Sequence, residues 1–142
     1  MTIEENKNIA RRFIQVWGNG DLNMIDELAS PSLAVHYPVF PQVIQGREMF
    51  KKVMAGFRSA FPDSALKVDD EIAEDDKVVI RWSFSGTHQG NLLGIPPTGK
   101  KARWSGITIY RLSEGKIIEE LGEEDFLGFL RQIGVIGPFQ TR

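Results

Sequence analysis

"KVVIRWSFSGTH" (residues 77–88) and "KARWSGITIYRL" (101–112), with "QGNLLGIPPTGK" (89–100) between them, decide the architecture of this chain. Each flank is rich in Val, Ile, Trp and Tyr, a composition that fits a pleated, half-buried strand. The connection is unusual. Gly86–Lys100 carries two prolines and four glycines, which exclude a helix, yet Leu92, Leu93 and Ile95 are too apolar for a solvated linker. Two strands can be joined by two residues. A longer segment, with Pro96 and Pro97 fixing their own φ angles, is therefore read as one wall of an apolar pocket.

Outward from this centre, "ALKVDDEIA" (65–73) and "KIIEELGEE" (116–124) read as the strands before and after, with Glu74-Asp75-Asp76 and Ser113-Glu114-Gly115 as short turns. Two connections of hairpin length make the sheet mostly antiparallel. Further upstream, Leu33, Val35 and Tyr37 alternate with Ala34 and His36, which predicts a short strand ended by Pro38. Helices occupy the N-terminal half. Thr2 and Glu5 have the spacing of a capping box, followed by Ile9, Phe13, Val16 and Trp17 on one face and a stop at Gly18-Asn19-Gly20. Asp21 caps a short second helix carrying Leu22, Ile25 and Leu28. A third runs from about Arg47 through Phe50, Val53, Met54 and Phe57 to Phe61, closed by Pro62. A last helix spans Phe126 to Ile133, and Pro138 marks the tail. Helices first and a strand meander after them predict an α+β fold, one domain over residues 1–142, in which a curled sheet and its helices enclose a hollow.

The 142 residues are 42% hydrophobic and 25% charged, typical of a globular domain. A net charge of −2 with scattered Lys and Arg disfavours nucleic acid as a partner. No apolar run approaches the ~20 residues that cross a bilayer, and the first residues lack the apolar core of a secretory signal. A cytoplasmic protein is expected. With two histidines and no cysteine, neither a disulfide nor a zinc site is expected. The glycine spacing fits no dinucleotide or phosphate loop, and there is no G-x-S-x-G elbow.

"AFPD" (60–63), Arg81 with "GTHQG" (86–90), "GIPPTGK" (94–100), "GITIYRLSEGKIIE" (106–119), Asp125 and "QIG" (132–134) occur in an order that resembles the SnoaL-like polyketide (ester) cyclase family of the NTF2-like superfamily. The similarity covers about residues 6–134. It implies a cone-shaped barrel with a curved, mostly antiparallel sheet, three to four helices, an internal pocket and a homodimer joined through the sheets. It also implies a reaction that needs neither metal nor organic cofactor: ring closure by intramolecular aldol condensation on a small hydrophobic carbonyl compound.

On that resemblance Asp125 matches the general acid/base and His88 its catalytic assistant. A carboxyl in this role removes a carbon-bound proton and later protonates an alkoxide, which requires a pKa lifted by burial. Asp125 also stands where aspartate caps a helix, which holds the charged form. Candidate ligand contacts are His36, Trp17, Leu92, Ile95, Trp104, Glu119 and Leu121. Glu119 shares strand parity with Leu121 and is expected to project inward. Leu121 replaces a tryptophan of the family pattern and suggests a wider or more aliphatic pocket. Asp63 is read as shaping the turn after Pro62, and Arg81 as pairing with Asp69 or Asp70. Alternative readings are a non-catalytic small-molecule binding protein, or an epoxide hydrolase or isomerase on the same fold.

Overall fold

A computed structural model describes residues 1–137; the expectation for Pro138 lies outside the described residues. The helical segments are α1 (Ile3–Ile14), α2 (Val16–Asn19), α3 (Leu22–Leu28), α4 (Arg47–Ala60) and α5 (Phe126–Gln132). The strands are β1 (Ala29–His36), β2 (Ile44–Gln45), β3 (Ala65–Glu74), β4 (Lys77–Thr87), β5 (Lys101–Ser113) and β6 (Lys116–Glu124). They form one sheet in the order β2-β1-β6-β5-β4-β3. All neighbours pair antiparallel except β1 and β6, which run parallel. The expected meander is present, and β1 adds itself to its far side. No helix is long and apolar enough to cross a membrane among the described residues.

Local chemistry sets the ends of the elements. The Thr2 hydroxyl accepts from the Glu5 amide at 3.0 Å, and Asp21 accepts from the Asn23 and Met24 amides. Gly20, at φ 65°, closes α2 in the left-handed region that glycine enters without penalty. Asp63 accepts from both the amide and the hydroxyl of Thr87, at 2.7 and 2.6 Å. The turn after α4 is thereby tied to the end of β4, and the Thr87 bonds hold the Asp63 carboxyl below its usual pKa. Arg81 stands opposite Asp70 in the β3–β4 register.

Long strands feed alternate side chains to the interior: Val78, Ile80, Trp82 and Phe84 from β4, and Ala102, Trp104, Thr108, Tyr110 and Leu112 from β5. Against them pack Phe13 and Ile14 of α1, Phe50 and Met54 of α4, and Phe129 of α5. Aromatic rings dominate this core. Phe61 lies 5.1–5.9 Å from the rings of Phe57, Phe84, His88, Trp104 and Phe129.

One irregularity governs the site. In the β5–β6 ladder Arg111 pairs with Glu119 but Leu112 pairs with Ile117, so Ile118 is an extra residue on β6. Such a bulge reverses which face the following residues occupy. Ile117 is buried, and beyond the bulge it is Glu120 and Gly122 that are buried, while Leu121 and Glu123 are exposed.

Candidate functional site

The inward edge of β5 and β6 contains two missing side chains. Gly106 faces Glu124 across the ladder, and Gly122 faces Thr108. A Cβ at Gly122 would fall inside the Tyr37 ring, and one at Gly106 inside the Trp82 indole. These glycines are slots for two aromatic rings that come in from β4 and from the segment after β1.

Both rings carry polar atoms to one buried centre. The Trp82 indole N–H donates to Thr108 Oγ1 at 3.0 Å, and the Thr108 and Tyr37 hydroxyls are 3.1 Å apart. The Tyr37 hydroxyl donates to Glu120 Oε2 at 2.6 Å, and Trp17 Nε1 donates to the same oxygen at 3.1 Å. Glu120 is fully buried. Burial drives its pKa up to about 7 against the pull of donors from Tyr37, Trp17 and Tyr110. Burial and the neighbouring carboxylate push Tyr37 well above 10.

In front of this centre lies a narrow apolar cavity. Its walls are the rings of Trp17, Tyr37, Phe57, Trp82, Phe84 and Trp104. Leu92 and Leu93 contribute from the proline-containing loop, with Phe126 and one carboxylate, that of Glu124. Glu124 is raised to about 7, first by burial and second by the charge of Glu120. A carboxyl in that range is half ionised near neutrality and can both take and give a proton.

Leu92 and Ile95 exchange backbone hydrogen bonds of 3.0 and 2.8 Å around a turn in which Leu93 and Gly94 have φ of 50° and 86°. The pattern is that of a tight hairpin tip, and it presents Leu92 and Leu93 to the cavity.

The sequence candidates divide. Trp17, Leu92 and Trp104 line the cavity. Ile95 packs on the core but is not among the lining residues. His88 is fully buried and is likewise outside the lining. Its Nδ1 accepts from the Thr98 amide at 3.3 Å and lies 3.1 Å from the Thr98 hydroxyl, while its backbone bonds Lys100 and Gly99. It is a latch that shuts the base of the loop. His36 and Glu119 meet at 4.0 Å at the sheet's outward side, where Leu121 is 37% exposed. The expectation that Glu119 projects inward is corrected by the Ile118 bulge. Leu121 lines an outer groove with His36, Ile107 and Ile109, so the loss of tryptophan there does not reshape the cavity.

Asp125 also needs correction as a cavity residue. It is exposed, and its Oδ1 accepts from the Gly128 amide at 2.9 Å as the N-cap of α5. The carboxylate in the cavity is the preceding residue. Sequence reading missed Glu124, Glu120 and Tyr37; the signal available was the pair of glycines interleaved with polar and aromatic residues in "WSGIT" and "EELGEE". Among the described residues no three His, Asp or Glu side chains converge as metal ligands.

Residues 7–133 match the model of the SnoaL-like polyketide cyclase family. The chain belongs to that family. The aklanonic acid methyl ester cyclase DnrD of Streptomyces peucetius is 27% identical over 137 residues, covering 92% of each chain. The nogalonic acid methyl ester cyclase of Streptomyces nogalater is 25% identical over 122 residues, covering 85% of this chain and 91% of its own length. Among solved structures, TsrD from Streptomyces laurentii superposes with a TM-score of 0.85 at 29% identity, over 96% of this chain and 99% of that one. A protein of ketosteroid isomerase-like fold from Catenulispora acidiphila DSM 44928 shares the fold, with a TM-score of 0.76 at 15% identity over 92% and 97% of the two chains. The curved sheet and its helices make the NTF2-like α+β cone fold.

Proposed function

We propose that the protein is a cyclase-type enzyme that closes a ring in a small, largely apolar carbonyl compound, with Glu124 as its acid/base. The observation that carries the reading is the placement of the Glu124 carboxyl in a cavity otherwise lined by aromatic and aliphatic side chains, where burial raises its pKa. As a carboxylate, Glu124 takes a proton from a carbon flanked by carbonyls. The resulting enolate attacks a second carbonyl of the same molecule, a C–C bond forms, and the alkoxide is protonated. Excluding water strengthens each of these charge interactions and protects the enolate from the solvent. Eight aromatic rings at the cavity suit a planar ligand, which offset stacking and edge contacts recognise.

The family and its named relatives support this activity and make methyl esters such as aklanonic and nogalonic acid methyl ester the first substrates to test. In this reading the working form is a cytoplasmic homodimer joined through the outward face of the sheet. Support comes from Ile107, Ile109 and Leu121, which are 48, 39 and 37% exposed there.

The test replaces each neighbouring carboxylate by its amide. Glu124→Gln lowers turnover of such an ester by about 10²-fold or more, the usual loss when a general acid/base is removed. Asp125→Asn leaves turnover within a few-fold of the parent. The opposite ranking returns the role to Asp125 and removes Glu124 from the mechanism.

A further inference from the structure

Leu93 occupies a backbone position that disfavours its residue type. Its φ of 50° lies in the left-handed region, which a leucine enters only with strain. It is the first of the two residues between Leu92 and Ile95, and the second, Gly94, also has a positive φ. Turns of this kind favour Asn-Gly, since asparagine tolerates that backbone. Core packing does not explain the leucine: Leu92 packs against the core, whereas Leu93 is 48% exposed. Yet Leu93 is part of the cavity wall. A side chain that is both half exposed and in the wall stands at the mouth. The base below it is pinned. The Gln89 amide donates to the Ala60 carbonyl at 2.9 Å, and a Cβ at Gly90 would fall 2.6 Å from the Ser59 carbonyl oxygen. Asn91 Oδ1 accepts from the Gly94 amide at 3.1 Å. Such surroundings are what keep a strained residue in place, commonly where it meets a ligand.

We propose that Leu93 is the specificity-determining residue of the cavity mouth, favouring ligands that outreach the narrow interior and present an apolar end to it. This deepens the reading of the aromatic cavity as the substrate site and rests on it, without depending on which residue moves the proton. A short ligand fits among the rings and ends before the mouth. A longer one projects past them, whichever end enters first, and takes the Leu93 side chain out of water. Each apolar group covered there adds to affinity. Asparagine would relieve the backbone but would offer that ligand no aliphatic surface.

The test uses the methyl and hexyl esters of 4-hydroxybenzoic acid as a short and a long probe. The three tryptophans of the chain, Trp17, Trp82 and Trp104, all line the cavity, so a change in their emission reports ligand entry. Leu93→Asn keeps the turn and removes the aliphatic side chain. Expected are a melting temperature equal to or above the parent's, methyl ester binding within about twofold of the parent, and hexyl ester binding about tenfold weaker. Leu93→Met, which keeps an apolar side chain of similar volume, is expected to hold hexyl ester binding within about threefold. Unchanged hexyl binding in Leu93→Asn, or an equal loss for both esters, overturns the role of Leu93 and leaves the cyclase reading intact. A melting temperature several degrees below the parent overturns it too, since Leu93 would then be held for packing. A parent protein that binds neither ester also overturns it. Because binding is read without turnover, a Glu124→Gln enzyme as active as the parent removes the cyclase mechanism and leaves the Leu93 result standing.

Discussion

Glu124 and Asp125 are adjacent in the chain, yet Glu124 lines the aromatic cavity while Asp125 is exposed and caps α5. The two carboxylates have the same chemistry at the level of sequence. Strand geometry sends neighbours to opposite faces, and burial then gives only one of them a pKa near neutrality.

The capping role of Asp125 has a measurable size. Asparagine caps nearly as well as aspartate, whereas alanine offers the Gly128 amide no acceptor. Asp125→Asn is expected to match the parent in urea unfolding within a few tenths of a kcal/mol, and Asp125→Ala to lose about 1 kcal/mol. An asparagine variant as unstable as the alanine one shows that the charge, and not the cap, is what matters there.

Gly122 and Gly56 form a matched pair. An added methyl at Gly122 collides with the Tyr37 ring, while at Gly56, inside α4, it meets nothing within 4 Å. Gly122→Ala is expected to cost about 3 kcal/mol or more, with loss of the Tyr37–Glu120 bond. Gly56→Ala is expected to gain up to about 1 kcal/mol, from helix propensity and a less flexible unfolded chain. Calorimetry on both variants decides; equal effects would mean that the ring yields easily and the slot is unimportant.

Glu120 makes stability depend on pH in a particular direction. Its carboxyl is raised from 4.5 to about 7 in the folded protein, so the folded chain binds more protons than the unfolded one between those values. Its stabilising contribution is full below about pH 4.5, is lost as the pH climbs through 7, and is constant above that. At 1.36 kcal/mol per pH unit the loss is about 3 kcal/mol. Glu120→Gln is therefore expected to be more stable relative to the parent at pH 8 than at pH 5. If parent and variant differ in melting temperature by the same amount at both pH values, Glu120 does not titrate between them with a raised pKa and the assignment fails.

Much of the architecture was legible along the chain. Capping residues, the 3.6-residue apolar spacing of α1 and α4, and the β-branched and aromatic runs of β3 to β6 announced their elements, because each depends on neighbours a few residues away. The resemblance carried in "GTHQG" and "GIPPTGK" reached the family. The site itself was less accessible. Reading alternation forward from Ile117 sends Glu119, Leu121 and Asp125 inward, but the single extra residue at Ile118 reverses the order and sends Glu120 and Glu124 there. A bulge leaves little mark in composition, and a one-residue shift exchanges every side chain between the two faces.

The sequence by itself determined the elements, their order, the family and the apolar loop, since these follow from short-range propensity and recurrent motifs. Tertiary structure decided which carboxylates leave water. Glu120 meets Tyr37 across 83 residues and Trp17 across 103, and only that assembly removes the solvent that would otherwise keep a glutamate near its ordinary acidity.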